Sequence, residues 1–125
     1  MNSYFILLFA VIVSATASAQ QTKAAIEKEK WHWGNPNKQD TSAGYAQTLK
    51  VGDVLYISGT VTTELSEKGV SQVYAGLERS LKQYGLTFQH VVKENLYTTD
   101  IEAMKQLNHV RKQFYKGDFP AATWV

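Results

Sequence analysis

Cysteine is absent from all 125 residues, which removes disulfides, thiolate nucleophiles and thiolate metal sites together. Stability must therefore come from packing or from assembly. A surplus of one charge is missing as well: 13 basic residues against 11 acidic ones leave a formal charge of +2. The basic residues are scattered, so no stripe tracks a phosphate backbone, and nucleic acid is not an expected partner. Long apolar runs are also lacking. The stretch from Phe5 to Val13 is shorter than the roughly 20 residues needed to span a bilayer.

Familiar catalytic signatures are missing too, with no Gly-rich phosphate loop, no His-Glu-x-x-His pair and no Gly-x-Ser-x-Gly elbow. His32, His90 and His109 lie far apart and share no metal-ligand spacing, so they read as surface or packing histidines and no metal is expected. Glu64, Glu67, Glu78 and Glu102 fall in turns or on helix faces, where solvation explains them.

What is present begins with a leader. The run from Phe5 to Val13 is followed by small residues ending Ala17-Ser18-Ala19, which fits a secretory signal cleaved after Ala19. Residues 1–19 are thus expected to be a signal peptide, and the mature protein, from Gln20, to be periplasmic or secreted with no stable membrane anchor. Residues 20–44 form a polar and aromatic extension. Within it, Gln20 to Lys30 reads as a solvated helical turn or a disordered leader. Trp31-His32-Trp33-Gly34 then places large aromatics beside turn formers, either capping the domain edge or stacking on a ligand.

The regular domain is expected over residues 45–125. Two β-rich runs, Ala46 to Val51 and Val54 to Val61, meet across Gly52-Asp53, a tight-hairpin signal that makes them antiparallel neighbours. Val70, Val73, Tyr74, Leu77, Leu81 and Tyr84 recur at helical spacing until Gly85 stops the helix. Val91 to Thr99 alternates as a third strand. Asp100 then caps a second helix with Ile101, Met104, Leu107, Arg111 and Phe114 on one stripe and Gly117 at its end. Ala121 to Val125 reads as a last strand. Each helix needs a sheet face for its apolar stripe, so the architecture is an α+β two-layer sandwich.

Several segments in this order resemble the RidA (YjgF) family: Gly44-Tyr45-Ala46-Gln47, Val54 through Gly59, Val92-Lys93 through Thr99-Asp100, Leu107-Asn108, Phe114-Tyr115 and Phe119-Pro120-Ala121. The resemblance implies a chorismate-mutase-like fold, a mixed β-sheet with two helices packed on one face. It also implies a homotrimer with a small-molecule ligand in each intersubunit cleft, and hydrolysis of reactive enamines or imines to ketones and ammonia without a cofactor. Tyr45, Ser58, Gly59, Asn108, Ala122 and Trp124 would then line the ligand cleft. Tyr45, a candidate catalytic group, offers a hydroxyl to substrate or water, or simply packs. Gly59 either lets a ligand approach backbone or forms a bulge. Asn108 makes either a structural hydrogen bond or a ligand contact.

Two positions depart from the pattern. The family's Pro-Ala-Arg is Pro120-Ala121-Ala122 here, so the planar fork thought to hold a substrate carboxylate is missing. Trp124 stands where relatives carry a small cysteine, and either reshapes the pocket or turns to the core. The family's closing strand, with a glutamate proposed to activate water, is expected to be missing after Val125, as in a fragment of a longer product or a chain whose edge is covered by assembly. A non-enzymatic ligand-binding or holdase module on the same trimeric scaffold is the second reading.

Overall fold

The computed structural model describes residues 24–125, so the expected signal peptide at 1–19 lies outside the described residues. Five strands and three helices follow in order: β1 (Glu29–Trp31), β2 (Thr48–Val51), β3 (Val54–Ile57), α1 (Glu67–Lys82), β4 (Lys93–Leu96), α2 (Ile101–Gln106), α3 (Asn108–Tyr115) and β5 (Ala121–Trp124). The α+β class holds, and the strands pair in both senses. β1, β2 and β3 form an antiparallel sheet in that order, while β4 and β5 pair in parallel.

The hairpin forms where Gly52-Asp53 predicts it, with Val51 opposite Val54 and Thr48 opposite Ile57. Gly52 adopts a φ of 57°, a left-handed conformation that two-residue hairpin turns require and glycine takes without steric cost. Before it, β1 replaces the helical turn or leader expected up to Lys30. Its three residues pair with β2 from Glu29–Lys50 to Trp31–Thr48. An acidic-basic alternation hides this strand in the sequence, because edge strands carry charge on the side that faces water.

α1 starts at Ser66, whose hydroxyl accepts a hydrogen bond from the Gly69 amide at 3.1 Å. It ends through the Leu86 amide donating to Leu81 O and the Gly85 amide to Lys82 O, both at 3.0 Å, a pattern that satisfies the last carbonyls. Gly69 is required for close packing. A Cβ there would lie 1.9 Å from the Glu64 carbonyl oxygen, a backbone clash that no rotamer relieves. Gly69→Ala is therefore expected to cost about 1–3 kcal/mol of unfolding free energy, measured by denaturant melts, despite alanine's better helix propensity. A neutral or stabilising result would mean that this turn is not packed as described.

The single second helix expected from Asp100 to Gly117 is two helices. Asp100 caps the first, accepting from the Ala103 amide at 2.9 Å. At Leu107 the backbone turns to φ −88° and ψ 0°, and its amide donates to both Ala103 O and Met104 O. This tightening toward three-residue bonding breaks the axis with no proline or glycine. The apolar stripe survives the break. Val70, Tyr74 and Leu81 of α1 meet Met104 of α2, Val110 and Tyr115 of α3, and Phe88 from a short 3₁₀ turn. Tyr74, Phe88, Phe114 and Tyr115 form an aromatic cluster with ring centroids 4.9–6.3 Å apart, in the tilted and edge-on geometries that aromatic pairs prefer. Ile57, Leu96 and Trp124 of the strands close this core from the sheet side.

Candidate functional site

Strand alternation sorts the three-stranded sheet into two faces. Thr48 and Ile57 point toward the helices; Thr48 is fully buried, its hydroxyl donating to Tyr84 Oη at 2.9 Å. The opposite face carries Lys30, Leu49 and Tyr56 side by side across the three strands. There an open groove of about 570 Å³ is lined by Lys28, Lys30, Asp40, Tyr45, Tyr56 and Ser58, among others.

Tyr45 is presented by a tight loop. Its carbonyl accepts from the Asp40 amide at 2.8 Å, its amide donates back to Asp40 O at 3.1 Å, and Asp40 Oδ1 accepts from the Ser42 and Ala43 amides at 2.9 Å each. The His32 ring packs edge-on against the Tyr45 ring, centroids 5.2 Å apart. Tyr45 remains 43% exposed, so its hydroxyl is open to a ligand. Ser58 commits its proton to Ala46 O at 2.7 Å, which leaves its oxygen as an acceptor. Buried Gln47 fixes this end of the groove, with Nε2 donating to Ser58 O at 2.8 Å and its backbone carbonyl accepting from the Ser58 amide at 2.8 Å.

Tyr45 and Ser58 are thus brought together, and the other candidates lie elsewhere in this chain. Gly59 has no positive φ, and a Cβ added there meets nothing within 4 Å, so nothing within the chain itself demands glycine. Asn108 begins α3, with Oδ1 buried and no hydrogen-bond partner among the described residues. Ala122 is exposed on β5, in register with Glu94 of β4. Trp124, in register with Leu96, is half-buried against the core, with the Arg111 guanidinium 5.6 Å from its ring. Within this chain its ring packs on the core side of β5.

Sequence reasoning missed Arg111. It sits on the α3 stripe with its side chain 6% exposed, and it forks onto Glu94, itself 9% exposed, with Nη2 2.6 Å and Nε 2.9 Å from Oε2. The Tyr74 hydroxyl donates to the other carboxylate oxygen. Burial, followed by the Glu94 hydrogen bond, holds the Tyr74 phenol well above its ordinary range, and burial with the Glu94 charge does the same for Tyr115. The Glu94 carboxylate and hydrogen bond raise Arg111 further, against the opposing effect of burial. The signal was available: an arginine on an apolar stripe needs a buried anion, and Glu94 occupies a core-facing place in an alternating strand.

Among the described residues, no three His, Asp or Glu side chains are grouped to hold a metal. The histidines diverge. His90 Nδ1 accepts from the Thr87 amide at 3.1 Å and His109 Nε2 lies 2.9 Å from Glu67. No helix among the described residues is long and apolar enough to cross a membrane.

Comparison with known proteins agrees with this fold. The chain is similar to a Rid-family protein of unknown function from Yersinia pestis, with 27% identity and a TM-score of 0.68 over 79% of this chain and 85% of that one. A YjgF-family protein from Mycobacterium tuberculosis shares the fold at 21% identity, with a TM-score of 0.67 over 79% of this chain and 83% of that one. A RutC family protein from Aquifex aeolicus is 31% identical over 58% of this chain and 64% of its own length. The human 2-iminobutanoate/2-iminopropanoate deaminase is 31% identical over 62% of this chain and 63% of its own. The chain therefore spans just under two thirds of the length of these curated relatives. A family model described as Endoribonuclease L-PSP matches residues 36–125, and on this match, with the groove and the two-layer fold already in place, the chain belongs to that family, also called RidA or YjgF.

Proposed function

We propose that this protein binds a small organic ligand beside Tyr45 and Ser58 and hydrolyses a reactive enamine or imine there, releasing ammonia. In such a reaction water adds to the imine carbon, the carbon–nitrogen bond breaks, and ammonia leaves as the carbonyl forms. The observation that carries the reading is the placement of Tyr45, with an open hydroxyl, and Ser58, with an open acceptor, in one groove. These groups can orient a water and an imine nitrogen without a metal. The likeness to relatives named as 2-iminobutanoate/2-iminopropanoate deaminases supports the same chemistry.

Assembly as a homotrimer belongs to this proposal. Val54, Tyr56, Tyr97 and Val125 expose between 51% and 75% of their area, an apolar surface of the kind that subunit contacts cover. Light scattering is expected to give three times the chain mass. Export to the periplasm or beyond also remains part of the proposal, drawn from residues 1–19.

A second reading, ligand binding without turnover, is favoured by the state of the β4–β5 pair. Ala122 brings no cation, and the nearby Arg111 guanidinium is paired with Glu94 through Nε and Nη2. An arginine at 122 would meet a carboxylate that already holds a partner. The two readings part on one assay, in which ammonia is measured as 2-aminoacrylate is generated in situ. Saturable acceleration that falls at least about tenfold in Tyr45→Phe, the loss of roughly one charged or catalytic hydrogen bond, supports hydrolysis. Ligand-dependent thermal stabilisation with no ammonia above background supports binding alone.

A further inference from the structure

We propose that His32 is a positioning residue for Tyr45, and that Trp33 holds it in place by anchoring the same segment to α1. This rests on the reading of Tyr45 as the group that orients water or substrate. It gives the Trp31-His32-Trp33 run a use beyond covering the domain edge. Trp31 is in register with Thr48, whose side chain points toward the helices. Alternation then sends Trp33 the same way and His32 to the opposite side.

On the helix side, α1 offers a seat for an indole. Gly76 and Ser80 lie one turn apart on α1, so their small side chains share one face. A Cβ at Gly76 would already touch Trp33 Cη2 at 3.5 Å. Trp33 Nε1 donates to Ser80 Oγ at 3.4 Å, and the fully buried Ser80 donates in turn to Gly76 O at 3.3 Å. The Arg79 guanidinium, 5.7 Å from the indole, closes over it. His32 is thus carried on a segment fixed before it by pairing of β1 with β2 and after it by this anchor.

On the other side, the His32 ring meets the Tyr45 ring at 69° with centroids 5.2 Å apart. Both His32 nitrogens are buried, and neither has a hydrogen-bond partner among the described residues. The side chain therefore contributes shape and an aromatic contact to Tyr45, and no hydrogen bond. The bonds around Asp40 fix the Tyr45 backbone. Contact with His32 sets where the half-exposed ring points, and with it the hydroxyl.

The test uses the full chain and two variants that keep an apolar side chain in this space. His32→Leu removes the ring and His32→Phe keeps it, and neither gives up a hydrogen bond, so both are expected to fold. Three-bond couplings about the Tyr45 Cα–Cβ bond report its rotamer. They should show one rotamer in the parent and in His32→Phe, and an average of several in His32→Leu. In the ammonia assay with 2-aminoacrylate, His32→Leu should lower kcat about tenfold with KM within about twofold, as a displaced hydroxyl does. His32→Phe should recover most of that loss. In a Tyr45→Phe background, His32→Leu should cost no further activity, because no hydroxyl is left to place. A single Tyr45 rotamer in His32→Leu overturns the proposal. So does a kcat loss in His32→Phe as large as in His32→Leu, which would assign the effect to the ring nitrogens, or an equal loss in the Tyr45→Phe background. If the parent releases no ammonia, the deaminase reading fails by itself, and the Tyr45 couplings still decide whether His32 sets that ring.

Discussion

Arg111→Met is expected to lower the unfolding free energy by about 3–5 kcal/mol, because it strands a buried carboxylate that otherwise has no water to turn to. Glu94 receives two donors from Arg111 and one from Tyr74, and the aromatic rings of Tyr115, Phe119 and Trp124 wall the guanidinium at 4.8–6.0 Å. A domain of this size is stable by roughly 5–15 kcal/mol, so the single variant sits near the threshold of folding. The cost belongs to the orphaned charge and not to the pair. Removing both charges and the dependent hydroxyl, as Glu94→Leu with Arg111→Met and Tyr74→Phe, should therefore recover most of the loss. Arg111→Lys should recover little, since an ammonium cannot reproduce the two-pronged fork. Urea melts at neutral pH measure all of these, and a cost below about 1 kcal/mol for Arg111→Met would show that the pair is solvated in solution.

The same network makes the protein unstable in alkali. Tyr74 and Tyr115 are held above the ordinary phenol range, first by burial and then by Glu94. Both groups bind their protons more tightly folded than unfolded. Their contribution is complete below the free phenol value of about 10 and is lost as pH rises above it toward the folded value. Each tyrosine then withdraws about 1.4 kcal/mol per pH unit. Between about pH 10 and 12 the loss reaches roughly 3 kcal/mol for one tyrosine and about twice that for both. Tyr74→Phe is expected to be less stable at neutral pH by about 1 kcal/mol, the worth of one hydrogen bond. Its alkaline decline should be about half as steep. A parent protein with a flat melting temperature to pH 12 would refute the buried network.

Much of the scaffold was legible because its signals are local. Gly52-Asp53 sets a turn whose φ only glycine takes cheaply, Asp100 satisfies the amide three residues on, and α1 repeats its apolar residues every three or four positions. The break at Leu107 was not legible, because no proline, glycine or cap marks it and its cause is a shift of amide bonding within a continuous apolar stripe. β1 was obscured for another reason. Three residues at a sheet edge bury too little to impose an apolar pattern, and only pairing with β2 makes them a strand.

The candidate site divides along the same line. Tyr45 and Ser58 were named from the sequence, but their meeting in one groove depends on the Asp40–Tyr45 loop and on the Gln47–Ser58 bonds that extend the hairpin. Trp124 had two readings that differ only by which side of β5 is covered, and within this chain its ring meets Arg111 and the core. By itself the sequence determined the hairpin, the apolar helix stripes, the family and the neutral residue at 122, since these are written in residue types and short spacings. Tertiary structure alone decided that Arg111 is consumed by Glu94, 17 residues away, and that Lys28 and Lys30 face the groove beside Tyr45. Charge is compensated through space, and spacing along a chain does not reveal which opposite charge, ring or groove the fold will set beside a given side chain.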